Sequence, residues 1–90
     1  MHDDIFVITR LREAILVCFG EGHETAVVEL NINVMKKILS EGLFAIEAKG
    51  RWKDKEVYFI PHKTYREDYF TVHGEAEAPS SLPENAQSLH

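Results

Sequence analysis

Asn33-Val-Met-Lys-Lys-Ile-Leu-Ser-Glu-Gly42 is the stretch from which the rest of the chain is read. Val34, Met35, Ile38 and Leu39 fall at i, i+1, i+4 and i+5, one apolar stripe of a helix, and Lys36, Lys37, Ser40 and Glu41 face away from it. Asn31 or Asn33 can cap the start, because an Asn side chain accepts a bond from an orphaned backbone N–H. Gly42 suits the left-handed position that closes a helix, which would bring Leu43 back onto Ile38.

Upstream, residues 4–19 carry two competing patterns. As a helix, Ile5, Ile8, Leu11, Ile15, Cys18 and Phe19 line one side and Gly20 ends it. As strands, Ile5 to Ile8 and Ile15 to Phe19 are β-branched or aromatic runs of suitable length. The turn cluster Gly20-Glu-Gly-His-Glu24 followed by the strand-like Thr25 to Leu30 favours a split: a helix to about Glu13, then a hairpin of 14–19 with 25–31. Downstream, Leu43 to Lys49 and Lys55 to Ile60 alternate around Gly50–Asp54 and predict a second hairpin. Pro61 cannot donate to a ladder and ends that strand or keeps it on an edge. Thr64-Tyr-Arg-Glu67 has the spacing of a capping box, and Tyr69 to His73 reads equally as helix or strand. From Gly74 to His90, two prolines and little apolar material predict a flexible tail.

The expected architecture is α+β in the order (α)ββαββ: one domain over 1–73 with an antiparallel sheet of two hairpins, helix 33–42 across it, and a tail over 74–90. A helix of ten residues is only about 15 Å long and cannot cover four strands. A chain of 90 residues buries only about 60% of its unfolded surface. Both point to a homodimer that buries the uncovered sheet or an open strand edge.

Composition narrows the class. The apolar fraction of 44% suits a globular fold, and 15 acidic against 10 basic residues give a net charge of −5, which disfavours a general nucleic-acid binder. A lone cysteine, Cys18, excludes an internal disulfide and suits a reducing compartment. No run reaches the roughly 18–20 apolar residues of a membrane span, and the acidic Met-His-Asp-Asp start is unlike a signal peptide. A soluble cytoplasmic protein is expected.

Charge is uneven. Lys49, Arg51, Lys53, Lys55, Lys63 and Arg66 against Asp54 and Glu56 give residues 49–66 a local +4, leaving −9 on the other 72 residues. Trp52, Tyr58, Phe59 and Tyr65 are interleaved with these charges. Cations that hold phosphate beside aromatic faces that stack on bases would suit a nucleic-acid clamp. An acidic protein, or the acidic half of a second copy, fits the same surface. The competing reading is a solvated turn with lysines guarding a strand edge.

The remaining chemistry is sparse. His23-Glu24, His62 and His73 lack the i, i+3 or i+4 spacing of a local metal site. Cys18, inside Leu-Val-Cys-Phe, reads as a small buried hydrophobe rather than a nucleophile. Glu29 and Glu47 fall on different strands and read as solvent-facing positions. Phe6, Phe19, Phe44, Tyr58, Phe59 and Phe70, with Met35 and Trp52, could line a ligand pocket, though such residues more often fill a core.

The sequence thus predicts a small, non-enzymatic α+β binding module, a homodimer without metal or cofactor. Its working surface would be Lys49, Arg51, Trp52, Lys53, Lys55, Lys63, Tyr65 and Arg66. The alternatives are a nucleic-acid-associated accessory or regulatory protein using that hairpin, and a small-ligand binder with an aromatic pocket.

Overall fold

The computed structural model describes residues 4–63, 66–74 and 83–89. The architecture is α+β: a four-stranded sheet covered by helices on one face. In chain order the elements are α1 (Asp4–Gly20), β1 (Thr25–Asn31), α2 (Ile32–Glu41), α3 (Ala45–Lys49), β2 (Glu56–His62), β3 (Phe70–His73) and β4 (Gln87–Ser88). The sheet order is β3-β1-β2-β4. β1 and β2 run parallel, Thr25 opposite Glu56 through to Asn31 opposite His62. β3 is antiparallel to β1, and β4 is antiparallel to β2.

The central helix forms as its sequence dictates. Asn31, not Asn33, is the cap: its Oδ1 accepts from Asn33 N at 2.8 Å. Gly42 sits at φ 61°, and Leu43 N donates back to Ile38 O at 3.0 Å. That six-to-one bond around a left-handed glycine closes the last turn. Val34, Met35 and Ile38 are buried.

Neither expected hairpin forms. Residues 14–19 are the second half of α1, because Ile8, Leu11, Ile15 and Cys18 recur at helical spacing and all four are buried. Both glycines then find a use: Gly20 ends the helix, while Gly22 turns the chain at φ 102°. Residues 45–49 are α3, since Ala-Ile-Glu-Ala-Lys is good helix-forming sequence despite its alternation. With 43–49 removed from the sheet, β1 becomes the neighbour of β2. Two parallel neighbours need a long crossover, and residues 32–55 supply it.

Strand alternation sorts the two faces of the sheet. Ala26, Val28, Leu30, Val57 and Phe59 are buried against Ile8, Leu11 and Ile15 of α1 and Val34, Met35 and Ile38 of α2, with Phe70 and Val72 packed alongside. The opposite face carries Glu29, Tyr58, Ile60, His62, Thr71 and His73, and no helix among the described residues packs on it.

Trp52, Phe44 and Phe59 fill the core, with Phe19 and Phe70 packed against it, whereas Phe6 is exposed and Tyr58 is half-buried. Trp52 is 1% exposed, with its ring edge-on to Phe19 at 5.8 Å and to Phe44 at 5.6 Å, and Phe44 lies 6.5 Å from Phe59. Among the described residues the Trp52 indole N–H finds no acceptor, a cost of about 1–3 kcal/mol. Burying an indole contributes roughly 4–6 kcal/mol, so burial wins.

Residues 70–73 settle as a strand. Residues 64–65, the start of the expected capping box, lie outside the described residues, as do 75–82 of the expected tail. Gln87 and Ser88 pair with Phe59 and Tyr58, and Leu89 N donates to Val57 O at 2.9 Å. Leu89 packs against the core, which explains why this stretch joins the sheet. No helix among the described residues is long and apolar enough to cross a membrane.

Asn31 also donates from Nδ2 to Arg66 O at 3.1 Å. Asn31→Ala is expected to lower stability by about 1–2 kcal/mol. Asn33→Ala should stay within about 0.5 kcal/mol. Denaturant melts of the two variants check the assignment of the cap.

Candidate functional site

The helix-free face carries a hydrogen-bonded chain across three strands. Glu29, at the centre of β1, is the one charged residue in Thr25–Asn31, a strand whose other positions are all buried. His62 from β2 places Nε2 at 2.9 Å from Glu29 Oε1. His73 from β3 places Nε2 at 2.7 Å from Glu29 Oε2 and at 3.3 Å from Thr71 Oγ1. The register explains the meeting. Glu29 pairs with Ile60 and Thr71, so each histidine lies two residues along a neighbouring strand and reaches diagonally toward β1.

The carboxyl of Glu29 is held below the usual glutamate range. The hydrogen bond from His73 is the main cause; partial burial opposes it, and the bond from His62 and the charges of both rings add to the lowering. An ionised carboxylate only accepts, so both ring nitrogens facing it carry hydrogens. Among the described residues, neither Nδ1 atom has a hydrogen-bond partner. The imidazole side chains are 40% and 38% exposed and the Glu29 side chain 29%. The site is therefore a fixed anion flanked by two half-exposed rings. Tyr69 stands edge-on to His62 at 5.5 Å. On the same face the Tyr58 hydroxyl donates to Glu56 Oε1 at 2.8 Å, which pushes its pKa up.

Both Nε2 atoms are committed to Glu29, and no group of three or more His, Cys, Asp or Glu among the described residues is arranged to hold a metal ion. His23 lies elsewhere: its ring packs on Gly74, where a Cβ would collide with it. Glu47 does not approach Glu29, since it sits on α3 at 3.7 Å from both Arg12 and Arg51. Cys18 is buried, its Sγ 3.7 Å from His73 O and 3.9 Å from Thr25 O. Burial, with help from Glu21, pushes its thiol up, so it stays protonated as a core residue.

The basic–aromatic stretch is not one surface. Lys49, Arg51, Lys53 and Lys55 precede β2, whereas Lys63 and Arg66 follow it. Seven strand residues separate the two groups by about 20 Å. Trp52 is turned into the core and offers no face for stacking. Arg51 is paired with Glu47, Lys55 Nζ lies 5.7 Å over the Phe19 ring, and Arg66 Nε is 3.3 Å from Asp68, whose carboxyl it lowers. Lys49, Lys53 and Lys63 are exposed, and Tyr65 lies outside the described residues. A groove of about 370 Å³ beside the loop balances Lys53 and Lys55 against Asp54 and Glu56.

In the sequence, His62 and His73 group with His23 as candidate metal ligands and Glu29 with Glu47 as a carboxylate pair, and nothing there joins Glu29 to the two histidines. The available signal was the lone acidic residue inside an otherwise apolar strand. Comparison with protein-family models, curated proteins and solved structures finds no match for the chain.

Because the folded carboxyl of Glu29 titrates below its unfolded value, its contribution to stability is complete above the unfolded pKa. It is lost as pH falls through the lower, folded value. Wild type is thus expected to lose stability more steeply than Glu29→Gln below about pH 4.5, with the variant about 1 kcal/mol less stable at pH 7. Thermal melts at pH 7, 5, 4 and 3 check both points.

Proposed function

We propose that the protein is a small, non-enzymatic binding module that takes a cationic group of a partner, an ammonium or guanidinium, on the helix-free face of its sheet. One observation carries this reading: Glu29 is pinned as an anion between the half-exposed rings of His62 and His73. A basic side chain laid over this site meets that fixed negative charge. Aromatic rings stand close by at Tyr58 and Tyr69, and a ring face attracts a cation. The net charge of −5 favours approach of a basic partner. The strands fix the constellation in advance, so little ordering is lost on binding.

This reading moves the working surface away from residues 49–66. A phosphate backbone needs its cations along one path. Here they stand at the two ends of β2, and the aromatic residue meant to stack is in the core.

Titrating the protein at pH 7 and low salt with a Lys/Arg-rich peptide is expected to shift the amide and imidazole resonances of Glu29, His62 and His73. Binding should weaken as salt rises and fall about tenfold in Glu29→Gln. If a Glu-rich peptide or a single-stranded oligonucleotide binds instead, or the basic peptide shifts only loop 50–55, the proposal fails.

A further inference from the structure

We infer that α1 pairs with α1 of a second copy of this chain, antiparallel about a two-fold axis, through Phe6, Arg10, Glu13 and Val17. These four residues fall at i, i+4, i+7 and i+11, within about 60° of arc on one helix face. They lie opposite Ile8, Leu11, Ile15 and Cys18, which are spent on the core. Arg10 and Glu13 are exposed, and the two apolar ends are large and open to solvent, Phe6 at 57% and Val17 at 60%. Ile5, 74% exposed, flanks the stripe at its first turn. α1 thus presents large apolar side chains away from the core as well as toward it.

The order of residues along the stripe identifies the partner. Apolar, cationic, anionic, apolar is self-complementary when the helix is set against its own reverse. With the two-fold axis passing between Leu11 and Arg12, Phe6 of one copy faces Val17 of the other, and Arg10 faces Glu13. Symmetry repeats each contact, giving two apolar pairs at the ends and two ion pairs between them. A parallel alignment would set Arg10 on Arg10 and Glu13 on Glu13, which like-charge repulsion penalises. Arg10 is already steadied along the stripe, its guanidinium lying 5.6 Å from the Phe6 ring centre and 5.7 Å from that of Phe70. Less side-chain freedom is then lost when the pair forms.

The sheet therefore need not be the dimer surface, because among the described residues three of the large exposed apolar side chains, Ile5, Phe6 and Val17, are on α1, and the other, Ile46, is on α3. From Phe6 to Val17 the contact runs only about 17 Å, so the dimer is small and its dissociation constant is expected in the micromolar range. This inference is independent of the sheet-face reading, since none of the four residues belongs to the His62–Glu29–His73 chain.

Sedimentation equilibrium on the full chain across 10–500 µM, with charge-reversal variants, tests it. Arg10→Glu and Glu13→Arg should each weaken the dimer at least tenfold, since each places like charges face to face. The double reversal Arg10→Glu/Glu13→Arg should restore it to within about threefold, because the pairs are rebuilt with their signs exchanged. Far-ultraviolet circular dichroism with thermal melts confirms that each variant is folded. A monomer at 500 µM overturns the inference, as does a dimer indifferent to the single reversals or one that the double reversal does not rescue.

Discussion

Two adjacent strands that point the same way cannot be joined by a turn. Once β1 pairs in parallel with β2, the chain leaving Asn31 must travel back along the whole sheet before Glu56 can begin. Residues 32–55 make that journey as α2, α3 and the loop that tucks in Trp52. The return path lays apolar side chains over Ala26, Val28, Leu30, Val57 and Phe59. α1 lies on the same face, and β3 and β4 need only fill the two edges. A single pairing thus decides which face becomes core and which stays open, and the open face is where Glu29 meets two histidines. The electrostatics of that face follow from topology rather than from any local motif.

What could be read from the sequence divides along the same line. The helix over 32–41 was legible because everything that specifies it lies within about a dozen residues: Asn31 at one end, Gly42 at the other and an apolar stripe between. α1 was half legible. Its helical periodicity was present, but Ile-Phe-Val-Ile and Ile-Leu-Val-Cys-Phe are equally good strand formers, and only burial of Leu11 and Ile15 by strands remote in sequence decides between them. The alternation in 43–49 was misleading, since in so short a segment the Ala, Glu and Lys content outweighs the pattern. The α+β class could be read; the parallel pairing that arranges it could not, because it depends on residues some thirty positions apart.

The candidate site was hidden for the same reason. His62 is 33 residues from Glu29 and His73 is 44 residues from it, so no window of sequence contains the three together. Charge density along the chain gave a false lead. The cations of 49–66 are close in sequence, but a strand is an extended object, and β2 carries its two basic ends apart. An interleaved aromatic says little about exposure when, like Trp52, it is the largest side chain available to seal the end of a small core.

Asn31 holds three parts of the molecule with one residue. Its backbone ends β1 and its N–H donates to Tyr69 O at 3.3 Å, its Oδ1 caps α2, and its Nδ2 holds Arg66 O. Tyr69 in turn stands against the His62 ring. Fraying of the first turn of α2 therefore cannot be private to that helix. Releasing Asn31 loosens the approach to β3 and the aromatic wall of the site in the same event, so these pieces open as one cooperative unit. Amide protons at the start of α2 and around Tyr69 would then exchange with solvent at a common rate, although the elements that carry them lie more than thirty residues apart in the chain.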